Sequence, residues 1–315
     1  MDKHPNPPLN LNVNLNYGHT IQKSEMQPNH IYLDGACRGP AVSNKDKSYS
    51  FDHHHDCLRL VTLSTCEQVL VALELGFNPS NLTVEINDLD ADTSVALWLL
   101  RNPTRWKEEV IQDMVKRIGF IDCHGPSREP MKLHRCLTHD PRIQQTNEMI
   151  AEDQELIDKW VANPSEDVLP EPFVYPPAPQ AFGITSTGQF REYTDVTGFE
   201  QLYIDSTPPI QGMVVVAILC SEAPNGTIGY TVAKKSEFVN FNIPDFLSRC
   251  NKLEAGWGGG STIGGAPRHE DGTRSKLSYE EVKQIFVDMI NPNNVVNICG
   301  IKSVHEHVSL DEIPF

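Results

Sequence analysis

In Leu82-Thr83-Val84-Glu85-Ile86-Asn87-Asp88-Leu89-Asp90-Ala91-Asp92, a short strand-like run stops on a cluster of carboxylates. Val95 to Leu100 then opens a helix. The order of strand, carboxylate and helix recurs upstream. His30-Ile31-Tyr32-Leu33 ends at Asp34-Gly35, and Lys47-Ser48-Tyr49-Ser50-Phe51 ends at Asp52. Cys66 to Leu75 has helical spacing and stops at Gly76, with Pro79 just beyond, which is a helix C-terminus signal. Strands that alternate with helices predict an α/β layer built on a largely parallel sheet. Sites in such sheets form at the carboxyl ends of the strands, which is where Asp34, Asp52 and the Asp88–Asp92 group fall.

Further along, Ile143 to Trp160 reads as an amphipathic helix. Residues 164–179 hold six prolines and cannot form a regular helix. The expected organisation is a tail over 1–27, a metal-binding domain over 28–165, a Pro-rich linker over 166–180 and a smaller α/β C-terminal lobe over 181–315. The alternation in Asn10 to Asn16 also permits an edge strand within that tail. In the last segment, strand-like runs lie at Leu202–Ile204, Gly212–Cys220 and Gly229–Val232. Ser278 and Glu281 have capping-box spacing and start a helix running through Met289.

The chain has 315 residues, a formal net charge of −16, 39% hydrophobic and 22% charged residues. That balance fits a globular protein. Lys and Arg are scattered, so the negative field disfavours a long nucleic acid as partner. A small phosphorylated molecule is less affected, because a bound metal supplies local positive charge. No apolar run approaches the ~18 residues of a membrane span, and the N-terminus has no apolar signal region. The eight cysteines form no Cys-x-x-Cys pair. They are expected to be reduced and mostly buried, in a cytoplasmic protein with no membrane partner. A homodimer is left open.

Asp52-His53-His54-His55-Asp56 packs five ligand-type side chains into five residues at a strand end. Imidazole with carboxylate suits Mn²⁺, Fe²⁺, Zn²⁺ or Co²⁺. The alternative is a solvated polar turn. Asp88, Asp90 and Asp92 repel one another unless a cation sits among them; helix capping accounts for one of the three. Asp122-Cys123-His124 follows the apolar run Ile118 to Ile121 and reads either as another ligand-bearing strand end or as a Cys/His pair. His134 and His139 are expected in an exposed polar loop. In Gly256-Trp257-Gly258-Gly259-Gly260-Ser261-Thr262-Ile263-Gly264-Gly265, closely spaced backbone N–H groups suit an anion, and Arg268 suits a phosphate or carboxylate. The segment lacks the Lys-[Ser/Thr] of a P-loop.

Asp52-His53-His54, with the strand-end Asp34 and an Asp-x-Asp segment, resembles the DHH phosphoesterase superfamily. The Gly258–Gly260 run resembles the glycine motif of the DHH-associated C-terminal domain. The resemblance spans roughly residues 28–300. It implies a two-lobed hydrolase of phosphate esters or short phosphodiesters, holding two Mn²⁺ ions in the N-terminal lobe. It implies metal ligands at Asp34, Asp52 and His53, with Asp90 and Asp92 as the Asp-x-Asp pair and Asp88 beside them. Catalysis would involve Asp52, His53 and His54, with metal-bound hydroxide attacking phosphorus. Gly258, Gly259, Gly260, Ser261 and Arg268 would bind substrate. Three features depart from the pattern. The Asp-x-Asp segment follows the DHH triplet instead of preceding it, Ile86 stands where a histidine is usual, and Ser261 replaces the histidine after the glycines. The alternatives are a ligand-binding sensor on the same fold and a metallohydrolase of a non-phosphate bond.

Overall fold

The structure is a computed structural model and describes residues 7–58, 61–124, 131–139, 143–172, 178–196, 198–199, 202, 214–222, 225–269 and 273–290. The chain divides into two compact units, residues 1–176 and 177–315. Among the described residues there are seven α-helices and two sheets, one of them mostly parallel.

The first unit carries a five-stranded sheet. Its strands are β1 (Asn12–Leu15), β2 (His30–Leu33), β3 (Ala41–Ser43), β4 (Ser48–Phe51) and β5 (Thr83–Ile86), in the order β1-β5-β2-β4-β3. Four strands are parallel, and β3 runs antiparallel to β4 at one edge. The Asn-rich alternating segment is the other edge: β1 lies parallel to β5, and Asn14 and Asn16 donate to the Glu85 carboxylate. Residues 12–15 of the expected tail therefore belong to the sheet.

Register decides where the site sits. Leu33 pairs with both Phe51 and Ile86, so the carboxyl ends of β2, β4 and β5 are level. Asp34, Asp52 and the Asp88–Asp92 turn consequently leave the sheet at the same edge.

Five helices complete this unit: α1 (Thr65–Glu74), α2 (Ala91–Arg101), α3 (Glu109–His124), α4 (Lys132–Cys136) and α5 (Asn147–Ala162). Residues 91–100 of α2 are all buried. Its stretch Val95 to Leu100 is apolar all round and belongs in the interior, and α2 packs against α1, α3 and α5. Leu97 and Leu99 are fully buried there, and truncating either to Ala is expected to cost ~2–5 kcal/mol.

The run Ile118 to Ile121 is part of α3 and does not form a strand. Ile111, Met114, Val115 and Ile118 all lie inward with full burial, the spacing of one helix face. Four residues alone cannot distinguish a buried strand from a helix, whereas the window from Ile111 does.

The second unit has a six-stranded sheet of β6 (Ala178–Thr185), β7 (Phe190–Val196), β8 (Val214–Glu222), β9 (Ile228–Lys234), β10 (Gly258–Gly259) and β11 (Ile263–Gly265). All its pairings are antiparallel, in the order β10-β11-β9-β8-β6-β7. Phe182, Val216, Ile218 and Val232 pack on α6 (Ile243–Asn251) and α7 (Tyr279–Ile290) through Phe246 and Phe286. The capping box forms as expected, Ser278 and Glu281 exchanging side chain-to-backbone hydrogen bonds. Residues 203–204 and 212–213 of two strand-like runs, Pro176 and Pro177 of the proline segment and Cys299 lie outside the described residues. The other seven cysteines are free thiols, five of them buried.

Candidate metal centre

Four chain segments meet near the carboxyl edge of the parallel sheet, and His53 is at their centre. Its side chain is 0% exposed. Nε2 lies 2.7 Å from Asp122 Oδ2, 3.3 Å from Asp34 Oδ1 and 3.7 Å from Asp92 Oδ2. Short as these distances are, Nε2 forms no hydrogen bond of acceptable geometry. A buried polar atom is normally satisfied. A buried imidazole nitrogen that faces three carboxylates without hydrogen-bond geometry to any is a candidate ligand for a shared cation.

Asp34 enters this group with φ +45°. Asp is among the few side chains that tolerate the left-handed region, at a cost of order 1 kcal/mol. The conformation places Oδ1 2.8 Å from His54 Nε2 and 2.9 Å from the Thr65 hydroxyl, which donates to it. The hydroxyl of Thr93 donates to Oδ2. Asp34 and His53 form a three-residue ligand-type group with His54, and His53 forms a second with Asp122 and Cys123.

Asp92 does two things. It borders His53, and its two oxygens accept the N–H groups of Thr65 and Cys66 at 2.7 and 2.9 Å. Those are the first two residues of α1, so a carboxylate at the start of α2 caps α1 at its electropositive end.

The remaining expected residues divide by function. The Asp52 carboxylate accepts the N–H groups of Gly39, His54 and His55 at 2.7, 2.8 and 3.2 Å. It braces the histidine turn from beneath and is not one of the groups converging on His53. Asp90 is the N-cap of α2, accepting from Thr93 N–H. Asp88 accepts from the Gln145 amide at 2.6 Å. Capping thus explains Asp90, and Asp92 is the member of the trio that reaches the cluster.

Charge follows burial. Asp92 is pushed up to about 6 by burial, and the neighbouring carboxylates Asp122 and Asp34 add to the rise. Burial and the same neighbours push Asp90 well above the usual range. Burial also opposes ionisation of Asp34, but His54 and His53 outweigh it and hold its carboxyl well below the usual range. Burial favours neutral His53, yet Asp122 and Asp34 reverse that and raise it far above an ordinary histidine. The cluster therefore favours positive charge, whether on the His53 ring or on a cation in the same place.

Thr65 and Thr93 join the site without any signal in the sequence, whereas Asp122 is one of its candidate ligands there. Asp122 was visible as a carboxylate but was assigned to a strand end. The hydroxyls carry no sequence signal, because a Thr at a helix start reads simply as a helix residue. Cys123 points into the cluster, and the side chain of His124 lies outside the described residues. His134 and His139 are half-buried rather than exposed; His139 Nε2 lies 3.1 Å from the buried Asp153 carboxylate.

In the second unit, the glycine run is a hairpin. Gly258 pairs with Gly265 and Gly259 with Gly264. A Cβ on Gly259 would lie 2.2 Å from the Gly264 Cα, so this close approach requires glycine. Gly260 N–H donates to Ile263 O, which uses one donor of the anticipated anion nest. Gly258, Gly259, Gly260, Ser261 and Arg268 are exposed. No helix among the described residues is long and apolar enough to cross a membrane.

Neither family models, nor curated proteins, nor solved structures give a significant match to this chain.

Proposed function

We propose that the chain is a divalent-metal-dependent hydrolase of small phosphate esters or short phosphodiesters, with Mn²⁺ as the expected ion. The observation that carries the reading is the buried, unbonded His53 Nε2 facing Asp34, Asp92 and Asp122. The donor set is hard oxygen with imidazole nitrogen, which suits Mn²⁺ and its neighbours in the first transition row. Asp34, His53 and Asp122 would hold one ion, with Asp92 at its border; Asp34 with His54 offers a place for a second. A bound ion supplies Lewis acidity, neutralising phosphoryl oxygens and lowering the pKa of water.

The chain's own residues do the positioning. Thr65 and Thr93 fix both Asp34 oxygens through donated hydrogen bonds. Asp52 accepts the backbone N–H groups of His54 and His55, which helps to hold the turn that carries both rings. Within the second unit, Gly258, Gly259, Gly260, Ser261 and Arg268 are proposed to bind an anionic group of a substrate.

Elemental analysis of the purified protein, followed by a panel of phosphate monoesters and dinucleotides with added Mn²⁺, tests it. Metal-dependent turnover of one class is expected. Stoichiometric metal with no turnover on any phosphate ester would sink the hydrolase and leave a metal-binding protein.

A further inference from the structure

The two ring nitrogens of His53 face different chemistry. Nε2 looks into the carboxylates. Nδ1 lies 3.6 Å from Cys123 Sγ. On the far side of that sulfur, 3.5 Å away, is the Thr62 carbonyl, which accepts from the thiol. Donors and acceptors have one consistent arrangement once a cation takes the Nε2 lone pair. With the thiol proton directed at Thr62, sulfur presents a lone pair to His53, so Nδ1 carries the proton and Nε2 is left as the electron-pair donor. Thr62 belongs to the segment joining the histidine run to α1, so the relay closes back on the same stretch of chain.

Helix geometry makes this arrangement available. Consecutive residues on an α-helix are separated by about 100° around its axis. Asp122 and Cys123, adjacent on α3, can therefore flank one imidazole from two sides. Asp122 reaches Nε2 and Cys123 reaches Nδ1. Metal-binding histidines usually donate their second N–H to a carboxylate or carbonyl, which fixes tautomer and ring orientation. Here a buried thiol occupies that position.

We infer that Cys123 is a positioning residue for the metal centre: its sulfur accepts the His53 Nδ1–H and so presents Nε2 to the ion. The inference rests on the metal-centre reading given above. It assigns Cys123 neither as a nucleophile nor as a ligand.

The test uses the full chain labelled with ¹⁵N-histidine and loaded with Zn²⁺, a diamagnetic probe. Long-range ¹H–¹⁵N spectra should show His53 protonated at Nδ1 and metal-bound through Nε2. Cys123→Ser retains an acceptor and should hold Zn²⁺ affinity within a few-fold of wild type. Cys123→Val lacks one and should lose about 10- to 100-fold, the range typical of a lost outer partner. The Co²⁺-loaded protein should show no thiolate-to-cobalt charge-transfer band.

Such a band, or coordination through Nδ1, overturns the assignment. So does wild-type affinity in Cys123→Val. Should Cys123→Val fail to fold, the wild-type spectra and the Cys123→Ser titration still decide. A wild-type chain that binds no metal overturns the metal centre and this inference together, whereas metal binding with an unaffected Cys123→Val overturns only the inference.

Discussion

Asp34 concentrates more of the site than any other side chain: a positive φ, two hydroxyl donors and two histidines. Asp34→Asn keeps its shape and removes its charge. Calorimetry with Mn²⁺ is expected to show binding abolished while the far-UV circular dichroism is unchanged; retained stoichiometry would refute its role as a ligand. Gly39 illustrates a different constraint. Its φ is +81°, and its N–H donates to Asp52. An added Cβ would meet Lys23 Nζ at 2.8 Å, but that side chain can swing away. The backbone conformation is then the main cost of Gly39→Ala, about 1 kcal/mol or somewhat more in denaturant unfolding.

Elements meet at two tethers. Asp92 joins the start of α2 to the start of α1 through two charge-assisted hydrogen bonds. Asp92→Ala leaves both N–H groups buried without acceptors and is expected to destabilise the unit by about 2–4 kcal/mol, read as a lower urea midpoint. The second tether is His139 with Asp153 on α5, where Ser94 of α2 also donates to the same carboxylate oxygen. Burial alone would lower the His139 pKa, but the Asp153 hydrogen bond and charge raise it above the usual value. Its folded pKa exceeds its unfolded one, so its contribution is complete below about pH 6.5. That contribution is lost as pH rises through the folded value. With the ring partly exposed, ~1 kcal/mol or less is at stake. The wild type should lose this increment as pH rises above about 6.5, and His139→Gln should flatten that part of the stability profile. An unchanged profile in the variant would remove the tether from the account.

At the scale of the whole molecule, the proposed metal centre, in a chain of net charge −16, would make divalent ions stabilising ligands. At free Mn²⁺ about 100-fold above Kd, the gain is roughly 2.7 kcal/mol. Both ligand-type groups found among the described residues lie in the unit of residues 1–176. Differential scanning calorimetry should therefore show its transition rising with Mn²⁺, and Asp34→Asn should remove the shift. A Mn²⁺-independent transition would contradict the metal centre.

Sequence by itself determined the alternation of strand, carboxylate and helix from residue 30 to residue 100, because β-rich runs, Gly76 and the Asp residues act locally on the backbone. It also determined that Asp34 and the Asp52–Asp56 run belong to one edge of a parallel sheet. Only tertiary structure decided which carboxylates reach His53. Asp88, Asp90 and Asp92 look equivalent as a string, yet one pairs with Gln145, one caps α2 and one borders the imidazole. Asp122 arrives from a helix dozens of residues away. Cys123, which the sequence marks only as half of a Cys/His pair, gains its place from the rotation of α3 against that ring. Local propensity fixes where a backbone stops, whereas the convergence of charges depends on register and helix packing, and neither is encoded within any one segment.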